Sequence, residues 1–162
     1  MRIPYVPTPV PTKSDEEAAI VKRIEERRNP RPLQSLDLAL LHSPPVADGW
    51  NSFLGAVRTQ TSLSDDLREL AISRVAVCNK AWYEWKHHAP LAVKGGVSEA
   101  GLEAIKQETL GERPAELSEK QWAVLLYTDE MTRNVHVKDE TFDHLKKFFN
   151  EQEIVEITAT VR

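Results

Sequence analysis

Glu69, Glu84 and His88 have the types and spacing needed for one chemistry, the transfer of a proton. Glu84 and His88 stand four residues apart, so on a helix they share a face. Glu69 falls on the helix predicted just before. If the two helices pack antiparallel around the Asn79-Lys80 turn, Glu69 approaches His88. A carboxylate beside an imidazole fixes the tautomer and orientation of the ring and suits it to act as a general acid or base near neutral pH.

Each of these residues also has a plainer reading. Glu69 sits in the first turns of its helix, where an acidic side chain stabilises the helix dipole. His88 could be a satisfied buried polar group, and Glu84 a surface charge. His87 points about 100° away from His88 around the helix and reads as surface or interface. Trp82, Tyr83 and Trp85 read as packing aromatics. Cys78 reads as a small buried apolar residue. His136 and His144 are eight apart and lie in other surroundings, and no HExxH-like pairing occurs. No metal site and no cofactor is expected.

The elements that must position these residues are helical throughout. Pro4, Pro7, Pro9 and Pro11 make residues 1–13 an extended arm, either packed on a neighbour or mobile. Ser14 opens a helix, with Glu17 completing a capping box, and Asn29-Pro30-Arg31-Pro32 ends it. A short apolar helix covers Leu36 to Leu41, and Ser43-Pro44-Pro45 separates it from a helix over Val46 to Thr59. Ser64 caps the next helix, with Asp65 and Asp66 in its first turn, and this helix reaches Cys78.

Residues 80–94 form the helix that carries Glu84 and His88, and Gly95-Gly96 ends it. Pro90 leaves the Lys86 carbonyl without its donor, so a kink is expected just after His88, where it would open a pocket. Ser98 starts a short helix to Lys106. Ser118 and Gln121 form a second capping box ahead of Trp122, Leu125, Leu126 and Met131. Helices over Val137 to Asn150 and from Glu151 to Arg162 complete the chain. No segment alternates with period two, so the fold class is all-α.

Bulk composition narrows the function classes. At 162 residues, with apolar residues at 41% and charged residues at 28%, the sequence reads as one globular domain over 14–162 behind the arm. Lys and Arg number 21 against 25 Asp and Glu, a formal charge of -4, which argues against nucleic acid as a partner. Basic runs such as Lys22-Arg23 and Arg27-Arg28 sit among glutamates and read as a solvated helix face. No run of eighteen apolar residues predicts a membrane span. The N-terminus lacks the apolar core of a signal peptide, and the single cysteine, Cys78, suits a reducing compartment. A cytoplasmic location is expected.

The stretch RELAISRVAVCNKAWYEWKHHAPLAVKGG, from Arg68 to Gly96, resembles the carboxymuconolactone decarboxylase and AhpD-like family. The likeness rests on the REL helix, the YEWKHH helix and the glycine-ended turn, and extends roughly from Pro44 to Val161. It implies an all-α AhpD-like helical bundle and a homo-oligomer. The peroxidase branch of that family carries a glutamate, two cysteines and a histidine, which on this chain fall at Glu69, Ala81, Glu84 and His88. Both ends of that relay are present and both thiols are absent, so a thiol-based peroxidase is disfavoured.

The resemblance therefore points to a cofactor-free lyase acting on a small unsaturated lactone or carboxylic acid. In that reading His88 shuttles the proton, Glu69 orients it and Glu84 positions substrate or water. Tyr83, Arg74 and Lys80 are the candidate substrate-binding residues, the two cations as holders of a carboxylate. A non-catalytic oligomeric binding protein is the other alternative. Members of the family extend the last helix through a further segment, ahead of which this chain stops at Arg162.

Overall fold

In the computed structural model residues 2–161 are described, and they form nine α-helices with no strand among them. The all-α expectation holds. Met1 of the proline arm and Arg162 of the expected last helix lie outside the described residues. The chain divides into two compact units, one reaching Gln60 and one starting at Thr61.

The first unit contains α1 (Asp15–Arg28), α2 (Ser35–Leu40) and α3 (Pro44–Thr59). Ile20, Val21 and Ile24 of α1 bury against Leu41 and Ala47, and Val6 and Val10 of the arm pack on the same cluster. The arm therefore packs on its own unit: Val6 N–H donates to the Leu38 carbonyl at 3.3 Å, and the His42 ring nitrogen Nε2 meets the Pro4 carbonyl at 2.7 Å. At the start of α1 the Ser14 hydroxyl accepts from Glu17 N–H, but the Glu17 carboxylate reaches back to Lys13 N–H instead of Ser14.

A buried ion pair ties α1 to α2. Arg28 Nε and Nη2 donate to the two carboxylate oxygens of Asp37 at 2.7 and 2.8 Å, with Arg28 at 6% and Asp37 at 3% exposure. Arg27 donates to Asn51 and lies 3.6 Å from Asp37. The Arg27-Arg28 step is therefore not the solvated face its glutamate neighbours suggested. A planar guanidinium fork matched to a carboxylate explains why it can be buried.

The second unit holds α4 (Asp65–Cys78), α5 (Trp82–Gly95), α6 (Glu99–Lys106), α7 (Glu119–Asn134), α8 (Asp139–Leu145) and α9 (Glu151–Thr160). α4 lies at its centre, with Leu67, Leu70, Ala71, Ala76 and Val77 all buried. The α7 capping box forms as expected, since Ser118 accepts from Gln121 N–H and the Gln121 carbonyl oxygen accepts from Ser118 N–H. The same Gln121 amide donates to Asp66 at 2.9 Å, tying the start of α7 to the start of α4. Ser64 holds the N-cap position of α4 differently from expectation, because its hydroxyl donates to Asp66 at 2.5 Å instead of accepting from a helix N–H.

The helix expected over Val137 to Asn150 is shorter, ending at Leu145. Asn150 begins a new helix by accepting from Glu153 N–H while Glu153 accepts from Asn150 N–H. That reciprocal cap satisfies orphan donors at α9 and defines the break. α9 is held by packing of Ile157 at 1% and Val161 at 2% exposure, by Tyr127 to Thr158 at 2.7 Å, and by Ser62 to Glu156 at 2.7 Å.

Candidate functional site

The site grows from the way α5 returns along α4. Lys80 adopts a left-handed conformation, φ 54°, and reverses the chain between them. Ala81 N–H then donates to the Ala76 carbonyl at 2.8 Å. At the far end, a Cβ on Gly95 would stand 2.8 Å from Asp66 N and 2.9 Å from the Asp65 carbonyl carbon. The absence of a side chain there lets the two helices close against each other. Gly96, at φ 119°, supplies the left-handed cap that ends α5. Pro90 lies inside α5 without ending it, so the helix is continuous across the expected kink.

Between these two ends, His88 Nδ1 donates to Glu69 Oε2 at 2.6 Å, and both residues are 7% exposed. A carboxylate accepts only, which assigns the Nδ1 proton to the imidazole. His88 Nε2 is left facing Glu84 Oε2 at 3.4 Å, and the Glu84 side chain is 48% exposed. One ring nitrogen is therefore fixed by a buried acceptor, while the other looks toward a carboxylate in contact with solvent. That is the arrangement a proton shuttle requires.

Sequence reasoning gave Arg68 no role. Its Nε lies 3.6 Å from Glu69 Oε1, and Nη2 is anchored to Asp65 at 2.5 Å. The adjacent position and the family-like RE step were the available signal. The cation approaches the Glu69 oxygen that His88 does not use.

Of the other expected residues, Arg74 and Lys80 lie apart from the pair. Arg74 is wholly buried and donates to Asp129 at 2.9 Å and to the carbonyls of Ile105 and Gln107 at 2.7 and 2.5 Å, with Glu108 at 3.5 Å. It joins α4 to α7 and to the end of α6, and these partners leave it no donor for a substrate carboxylate. Lys80 is exposed at the turn, eight residues before His88, or roughly 12 Å along the helix. Tyr83 is 66% exposed and stacks on His87, ring centroids 4.3 Å apart, while His87 Nδ1 donates to the Tyr83 carbonyl at 2.8 Å.

Cys78 is half-buried. Its thiol donates to Asp129 at 3.4 Å and is pushed up to about 11, chiefly by burial; the Arg74 charge opposes this and the Asp129 carboxylate adds to it. At neutral pH it is a protonated thiol, the unreactive form. A cleft of about 420 Å³ lies in the first unit, lined by Thr8, Glu25, Glu26, Asn29, Arg31 and Leu33 among others. None of the expected site residues borders it. Among the described residues no group of three or more His, Cys, Asp or Glu side chains is arranged to hold a metal ion. No described helix is long and apolar enough to cross a membrane.

Solved structures of the debrominase Bmp8 share the fold. The apo form superposes with a TM-score of 0.70 at 17% identity, covering 93% of this chain and 81% of Bmp8. A cysteine-to-alanine variant in complex with 2,3,4-tribromopyrrole gives 0.70 at 16% identity, covering 98% and 84%. No curated protein matches the sequence significantly. The profile of the Carboxymuconolactone decarboxylase family matches residues 44–127, which span α3 through most of α7 and include Glu69, Glu84 and His88. The chain belongs to the carboxymuconolactone decarboxylase family.

Proposed function

We propose that this protein is a cofactor-free lyase that decarboxylates a small unsaturated lactone acid through the Glu69–His88 pair. The observation that carries the reading is the 2.6 Å hydrogen bond from His88 Nδ1 to Glu69 in a buried setting. In such a reaction the bond to the carboxylate carbon breaks and carbon dioxide leaves. The electron pair stays on the conjugated skeleton, and a proton is delivered to carbon. His88 Nε2 delivers that proton, Glu69 stabilises the ring while it is charged, and Glu84 returns a proton from solvent. Tyr83 borders the approach beside Glu84, and Lys80 contributes positive charge further along α5. The substrate is a carboxylate or lactone of low molecular weight.

Homo-oligomerisation in the cytoplasm belongs to the same proposal. Support for self-association comes from α5, where Trp82, Tyr83 and Leu91 are 54%, 66% and 43% exposed beside the pair. Sedimentation of the purified protein as a monomer at all concentrations would remove this element.

The decisive experiment mixes purified protein with 4-carboxymuconolactone and follows carbon dioxide release. Wild type turns the substrate over, and His88→Ala lowers kcat by about 100-fold or more, the scale of general acid–base assistance. No turnover by wild type, or full turnover by His88→Ala, sinks the lyase reading.

A further inference from the structure

Ser73 of α4 is wholly buried, at 0% exposure, and its hydroxyl has no hydrogen-bond partner among the described residues. A hydroxyl inside a helix can satisfy itself on the carbonyl one turn back. Thr128, Thr132, Thr158 and Thr160 all do so in this chain. Ser73 does not, so its donor is free for another acceptor.

The register of the two helices names that acceptor. Ala76 meets Ala81 through a backbone hydrogen bond, and Glu69 meets His88 through their side chains. Between these pairings, each step back along α4 matches one step forward along α5, which sets Ser73 level with Glu84. Ser73 also lies one turn from Glu69, on the face of α4 that looks to α5. The Glu84 carboxylate stands 3.4 Å from His88 Nε2, longer than a good hydrogen bond, and is half in solvent. It keeps free acceptor sites.

We propose that Ser73 is a positioning residue of the site, its hydroxyl donating to Glu84 and holding that carboxylate over His88 Nε2. This rests on reading the Glu69–His88 pair as a proton relay, and it adds the element that orders the outer carboxylate. The charged groups the structure brings against His88 are Glu69 from α4 and Glu84 from α5, with Arg68 beyond Glu69.

Nitrogen-15 spectra of the His88 ring at pH 7 test the assignment in wild type, Ser73→Ala, Glu84→Gln and the double variant. Ser73→Ala changes the ratio of charged to neutral His88 by at least about twofold, the lower end of couplings between residues in one hydrogen-bond network. In the Glu84→Gln background the same substitution changes nothing, and Ser73→Thr, which restores a hydroxyl, returns the spectrum toward wild type. An unchanged His88 spectrum in a folded Ser73→Ala protein, or an equal change in both backgrounds, overturns the proposal and leaves Ser73 a packing residue. Ser73→Gly provides a second hydroxyl-free variant for the same measurement. No substrate is needed, so a lack of lactone turnover would remove the lyase reading without deciding the role of Ser73.

Discussion

His88 Nδ1 donates to the Glu69 carboxylate across 2.6 Å, nitrogen to oxygen, and each side chain is more than nine-tenths buried. Removing one partner strands the other without its hydrogen bond. Glu69→Ala should lower stability by about 1–3 kcal/mol, the cost of a buried polar group left unsatisfied. His88→Ala should cost a similar amount, and the double variant less than the sum. Urea denaturation of the three variants measures this coupling, and full additivity would show that the two residues do not act together.

Asp37 should be the more costly position, although it lies in the first unit. It accepts from Arg28 Nε and Nη2 and from Gln34 N–H, all at 2.7–2.8 Å. Asp37→Ala leaves the buried Arg28 guanidinium without a counter-charge, and the expected loss is about 3–5 kcal/mol. Replacing both with a matched apolar pair should recover much of it. Denaturation of the single and paired variants distinguishes an uncompensated charge from lost packing.

The relative legibility of these two pairs has a physical cause. Glu69 and His88 were visible in the sequence because two helices joined by a short turn must run antiparallel, and the turn then fixes which residues meet. Arg28 and Asp37 were not. Their pairing depends on how a loop containing two prolines folds back, and adjacent glutamates made Arg28 look solvated. Arg74 is similar, since its position in a helix gives no sign that carbonyls of Ile105 and Gln107 converge on it from α6. The end of α8 was missed because Phe148 and Phe149 continue the apolar pattern across the break, while the cap at Asn150 decides where the backbone donors go.

Cys78 should be a poor nucleophile. With its thiol pushed up to about 11, chiefly by burial, the thiolate fraction at pH 7.5 is roughly 300-fold below that of a free cysteine near 8.5. Iodoacetamide labelling should be correspondingly slow and should accelerate as pH rises toward 11. Cys78→Ser should leave lactone turnover unchanged. Rapid labelling at neutral pH would show a thiolate in place of the buried thiol and reopen thiol chemistry.

Gly95 sets the approach of α5 to α4. A Cβ at this position would meet backbone atoms of Asp65 and Asp66 at 2.9 and 2.8 Å, and backbone cannot swing aside as a side chain can. Gly95→Ala should cost about 1–3 kcal/mol through overpacking, despite the better helix propensity of alanine. It should also disturb the His88 ring resonances, because the strain acts on the helix pair that holds the ring. A stabilised variant with an unaltered His88 spectrum would show that the helices have room to separate there.

Asp129 should govern part of the acid limb of stability. Burial opposes its ionisation, but hydrogen bonds from Arg74 and Arg133 outweigh that and hold its carboxyl below the ordinary carboxylate range. A group with a depressed folded value binds its proton more readily when unfolded. Its stabilisation is therefore complete above the unfolded value, about 3.9 for aspartate, and is lost as pH falls through the lower folded value. Asp129→Asn removes this contribution and leaves buried Arg74 without a counter-charge. The variant should be less stable at pH 7, and its stability should fall less steeply between about pH 5 and pH 2. Parallel acid slopes in wild type and Asp129→Asn would show that other carboxylates carry the acid sensitivity.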